Sequence, residues 1–140
     1  MELTLGNYVA LYVLTLIVFL GIDAVWLKYV MYDLFHARIG DLMRENTQFG
    51  VAAVFYLFYV IGIVYFAVIP GIESGSPWVA FFNGAFLGLL AYGTYESTNM
   101  ATLRGWDWTM VAVDTSWGAV LTGVSAVGGL MLARWTGFIS

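Results

Sequence analysis

Four uncharged stretches divide the chain. Leu3 to Ile22 is a run of 20 residues, Phe49 to Ile69 of 21, Trp78 to Tyr95 of 18 and Thr115 to Ala133 of 19. About 20 residues of helix cross a bilayer's hydrocarbon core, where only structures that pair their own backbone polar groups persist. The pattern therefore predicts an all-α polytopic membrane protein, a four-transmembrane-helix bundle with residues 1–140 as one domain. The first run has no basic leader and is longer than a signal peptide's core, so it is read as a retained helix. Loops are expected at Tyr29–Gln48, Pro70–Pro77 and Arg104–Trp108. The first has room for a short interfacial helix between the first two spans, with Tyr32, Phe35, Ile39 and Leu42 on one side.

Composition agrees with this reading and narrows the chemistry. Hydrophobic residues make up 61% of the chain and charged ones 10%, too few to cover a water-facing surface. There is no cysteine, which excludes thiol catalysis, disulfides and thiolate metal sites, and one histidine, His36, cannot build a multi-histidine centre. The single lysine, Lys28, sits at the edge of an apolar run, a poor place for a retinal Schiff base. A net charge of −4 argues against nucleic acid as a partner. No phosphate-cradling glycine motif occurs, and nothing calls for a cofactor.

The basic residues set an orientation. Lys28, Arg38 and Arg44 fall between the first and second runs and Arg104 between the third and fourth, against Arg134 alone on the other side. The bias predicts an inner-membrane protein with both termini outside and the first and third loops in the cytoplasm. Trp78, Trp106, Trp108 and Trp135 lie at run ends, the usual place of interfacial anchors.

Acidic residues mark the cytoplasmic ends. Asp23 follows the first run, Glu96 the third, and Asp114 precedes the fourth, which predicts three carboxyls at similar depth. Asp114, Gly118, Thr122, Ser125 and Gly129 recur at helical spacing as one stripe of small and polar side chains, expected to pack against another helix. Tyr92, Glu96 and Asn99 share a face of the third run. The string Asp-x-x-Trp occurs twice, at Asp23/Trp26 and Asp114/Trp117, a candidate trace of duplication. Close carboxylates without enough cations cannot all stay ionised, so a proton or a cation is expected among them. Their oxygens suit hard cations or ammonium groups, with cation–π contacts from tyrosines, Trp26 or Trp117. The identity of any metal is left open. The plainer alternative places these acids in headgroup water or pairs them across helices with Lys28 or Arg104.

The segment AYGTYESTNMATLRGW at Ala91 to Trp106 is followed by VDTSWG at Val113 to Gly118. GIDAVWL lies at Gly21 to Leu27, and FYLFYVIGIVYFAVIP at Phe55 to Pro70. Together these resemble the domain-of-unknown-function 2177 family of small bacterial membrane proteins. The resemblance covers most of the chain. It implies a membrane protein without an assigned activity and draws attention to Asp23, Glu96, Thr98, Asn99, Asp114 and Trp117. The family's acid after Thr-Tyr is usually aspartate; Glu96 carries that carboxylate on a longer arm.

Three functions compete on the sequence. One is a small transporter, or a cation- or proton-binding protein, with Asp23, Tyr92, Glu96, Thr98, Asn99, Asp114, Trp26 and Trp117 around a cytoplasm-facing pocket. So short a chain would need a homodimer to complete a transport path. The second is a structural or accessory membrane protein without chemistry. The third, an enzyme acting on a membrane lipid with two carboxylates as acid and base, lacks any nucleophile–base pair to support it.

Overall fold

The computed structural model describes residues 2–140 and, among these, consists of helices joined by short turns. Helix α1 (Leu5–Trp26) begins at Thr4. The Thr4 side chain accepts the Asn7 amide and the Asn7 side chain accepts the Thr4 amide, so two orphan donors of the first turn are paired reciprocally. The chain does not break after the first apolar run. It passes through a π-helical turn at Leu27–Met31 into α2 (Tyr32–Ile39) and a single 3-10 turn at Gly40–Leu42. The segment expected as the first loop thus holds a short helix, in direct continuation of α1.

The second run behaves alike. Helix α3 (Phe49–Ile63) runs through a π-helical turn at Val64–Val68 into α4 (Ile69–Ser74). Pro70 does not end it: the π-helical turn carries the chain past it, and the carbonyl that loses its helical donor finds one on a neighbouring helix. The Phe66 carbonyl, four residues earlier, accepts the Asn83 side-chain amide at 3.2 Å. Gly75, at a left-handed φ of 74°, caps α4. The expected loop at Pro70–Pro77 therefore shrinks to Gly75 and Ser76. Helices α5 (Pro77–Thr102) and α6 (Trp108–Trp135) complete the chain and extend past the apolar runs at the end that carries the acids.

Three helical stretches, Leu5–Leu42, Phe49–Ser74 and Trp108–Trp135, are long and apolar enough to cross a membrane. With 26 residues α5 has the length, but Asn83, Gly84, Gly88, Tyr92, Gly93 and Glu96 interrupt its apolar pattern. Several of these residues are what α5 uses to meet α6. Lipid tails are as apolar as leucine, so helices associate in a membrane by close packing. A Cβ on Gly88 would run into the Gly118 carbonyl, and one on Gly84 would press on the Thr122 carbonyl and Gly123. A Cβ on Gly118 would strike the Tyr92 ring, and one on Gly129 would strike Thr15 of α1. The stripe Asp114–Gly118–Thr122–Ser125–Gly129 is buried along its whole length, as its composition implied. The opposite faces present Val9, Val13, Ile17, Phe55, Phe58 and Phe86, the apolar exterior a bilayer requires.

Candidate functional site

The site forms where α5 ends and α6 begins. Glu96 is wholly buried on the face of α5 turned to α6. Its Oε1 accepts the indole N–H of Trp106 at 3.0 Å. Its Oε2 meets no donor, and the Asp114 carboxyl lies within hydrogen-bonding reach. Trp106 comes back to Glu96 because the chain reverses between the helices. Leu103 is extended and Gly105 adopts φ 82°, where a Cβ would also press on the Arg38 carbonyl of α2. Phe35 of α2 and Tyr95 hold the indole edge-on, with ring centres 5.1 and 6.0 Å away.

Trp106 corrects one expectation. Trp78, Trp108 and Trp135 are 69%, 70% and 84% exposed, as anchors should be, but Trp106 is only 8% exposed. Sequence position at a run's end does not separate these cases. The signal available was Gly105, which permits the reversal.

Next to Trp106, Asp107 caps α6 by accepting the Met110 amide at 2.9 Å and pairs with Arg38 Nε at 2.6 Å. The Met110 amide first, then the Arg38 guanidinium, hold its carboxyl below the usual aspartate range. This contact fastens α2 over the α5–α6 turn, and neither partner stood out in the sequence.

Asp23 is buried as well. It accepts the Trp117 indole N–H at a long 3.5 Å and has the Tyr56 hydroxyl of α3 within reach. Trp117 lies three residues beyond Asp114, about 4.5 Å along the helix axis. Glu96 and Asp114 therefore form the close pair, and Asp23 is tied to α6 through Trp117. Among the described residues no three acidic or histidine side chains come close enough to hold a metal ion. No basic side chain among them forms an ion pair with Asp23, Glu96 or Asp114; the Lys28 ammonium lies 5.3 Å from the centre of the Tyr29 ring.

The two Asp-x-x-Trp strings meet. Trp26 and Trp117 stack face to face, 4.2 Å apart and 5° from parallel. Each ring covers one face of the other, which removes those faces from any cation–π contact. Beside the stack a groove of about 460 Å³ runs along Ile22, Val25 and Tyr29. The match between the strings is unequal: Trp117 reaches Asp23, whereas the Trp26 N–H is buried without a partner.

The remaining candidates divide. Tyr92 lies over Gly118, with Tyr59 edge-on to it at 6.3 Å. Asn99 is half-buried about one turn past Glu96, near the Tyr95 hydroxyl, and forms no hydrogen bond with the carboxyls. Thr98 is exposed, because two residues along a helix turn it about 200° away from Glu96, and it stands outside the group.

Two carboxyl groups in contact can bond to each other only when one holds a proton. Without a nearby cation, two such carboxyls disfavour each other's ionisation. No curated protein and no solved structure matches the chain. The family model described as "Predicted membrane protein (DUF2177)" matches residues 8–131, nearly the whole chain. The chain belongs to that family of predicted membrane proteins.

Proposed function

We propose that this chain is a proton-binding protein of the bacterial inner membrane, with Glu96 and Asp114 sharing one proton near the cytoplasmic face. In this reading α1, α3–α4, α5 and α6 are four spans of one bundle. The Asn7 side chain bonds the Phe138 carbonyl, which supports both termini lying at one end. Lys28, Arg38, Arg44 and Arg104 favour the opposite end for the cytoplasm. The observation that carries the proton is the buried Glu96 Oε2, which has no donor but the neighbouring Asp114 carboxyl. That no three acidic or histidine side chains among the described residues come close enough to hold a metal ion favours a proton over a hard cation.

Infrared difference spectroscopy of the protein in liposomes, during a pH titration, tests this. A carboxylic-acid carbonyl band should be present and should vanish in both Glu96→Gln and Asp114→Asn. If no such band occurs at any pH where the protein is folded, the reading fails. Whether the proton drives transport, with a homodimer completing the path, is tested by proton-coupled uptake into the same vesicles. A band that never exchanges with solvent would instead favour a structural role, which the close packing of Trp106 on Glu96 also supports.

A further inference from the structure

Thr15 of α1 and Ser125 of α6 are fully buried, and neither hydroxyl has a hydrogen-bond partner. The Thr115 hydroxyl near the start of α6 is also unpartnered, but several other helical hydroxyls are not. Those of Thr94, Thr102 and Thr136 donate to the carbonyl four residues back, at 2.6, 2.8 and 2.7 Å, and that of Thr122 pairs with the Tyr59 hydroxyl at 2.8 Å. Thr15 is turned across the helix seam onto Gly129, whose missing side chain makes the space. Ser125 lies one turn before Gly129 on the same face of α6. Two unpartnered hydroxyls therefore sit on facing helices about one turn apart.

Buried hydroxyls are normally paired, and internal water is the usual partner when protein groups are not. We propose that Thr15 and Ser125 hold a water molecule between α1 and α6. This hydration site extends the polar stripe from Asp114 through Thr122 into the middle of the bundle, where the stripe ends. Beyond it Leu11, Val68, Leu130 and Ala133 close the seam with apolar side chains. The polar stripe is one-sided, running toward the Arg38–Asp107 end. Its use as a proton path rests on the Glu96–Asp114 reading above; the water site itself rests on the two hydroxyls.

Water-edited solid-state NMR of the protein in liposomes is the test. Ser125 and Thr15 should receive magnetisation from water, while Leu11 and Leu130 should not. Thr15→Val should abolish the water contact at Ser125 and leave that at Asp114, and Thr15→Ser, which keeps the hydroxyl, should preserve both. Dry wild-type Thr15 and Ser125 would overturn the proposal, as would an unchanged Ser125 contact in Thr15→Val. Water contact at Leu11 and Leu130 would overturn the one-sided closure. A wet Ser125 without the carboxylic-acid infrared band would remove the proton pair and leave the water site standing.

Discussion

Where α1 begins and α6 ends, the seam is made of Leu11, Val68, Ile72, Ala80, Leu130 and Ala133. At the other end Asp23, Glu96 and Asp114 are buried among Trp106, Trp117 and Tyr56. The first end needs only shape. A Cβ on Gly71 would press on Ala80 and Leu130, so contact there is limited by backbone approach. The second end places carboxyls in an apolar medium, where each unpaired polar atom carries a desolvation cost. Packing alone gives no reason to build that end from acids, since the apolar end closes without them. The contrast is why the acidic end is read as functional and the apolar end as a seal.

The largest effect is expected where both halves depend on one seam. Gly118→Leu would drive a side chain into the Tyr92 ring, and the α5–α6 approach could not survive it. Overpacking of a core typically costs about 1–3 kcal/mol and sometimes more. Here the obstacle is a whole isobutyl group against an aromatic ring, so loss of folded protein is expected. Gly62→Leu is the control, because nothing lies within reach of its Cβ. Thermal unfolding in detergent should separate the two. Equal behaviour would mean that the seam is not what holds the bundle.

Within the apolar half, Leu130→Ala should cost about 2 kcal/mol, the low end for a cavity in a packed core. The low end is expected because separated helices in lipid still surround the leucine with hydrocarbon, leaving mainly the lost contacts. In the polar half, Trp106→Phe removes the one N–H that reaches Glu96 Oε1. Leaving a buried acceptor unpaired costs roughly 1–3 kcal/mol, reduced here by whatever part of the carboxyl pair rearranges. The comparison sharpens in the pH dependence of the two losses. The Leu130→Ala cost should be flat with pH, whereas the Trp106→Phe cost should vary with the protonation of the Glu96–Asp114 pair. Parallel pH curves for the two variants would break the distinction between the halves.

Three of the four expected spans were legible because the bilayer imposes a length and forbids charge, and the α6 stripe because helical periodicity exposes a face. What crosses between elements was not. Trp106 sits ten residues after Glu96, and only the reversal at Gly105 brings them together. Asp23 follows its apolar run much as Glu96 does, but nothing in that run shows that Trp117 of α6 will reach it. Pro70 read as a boundary, and the π-helical turn before it keeps the helix going. The Trp26–Trp117 stack was foreshadowed by the repeated Asp-x-x-Trp, though nothing in one dimension says that two such strings will touch.

The smallest effect concerns the latch beneath the polar half. Asp107 caps α6 through the Met110 amide and holds Arg38, and both contacts lower its folded-state pKa. A carboxyl whose pKa is depressed by folding adds stability above its unfolded pKa, and that stability is lost as pH falls through the folded value. The wild type should therefore lose stability on acidification below the ordinary aspartate range. Asp107→Asn keeps a capping oxygen but removes the charge that holds Arg38. It should be slightly less stable than wild type at neutral pH and show a shallower loss in acid, with the two curves meeting at the lowest pH. Since Asp107 is exposed, salt should weaken the difference. Acid limbs of equal slope in the two proteins would show that the latch does not couple to folding, and α2 would then be held over the turn by packing, Phe35 on Trp106 and Arg38 and Ile39 against Gly105.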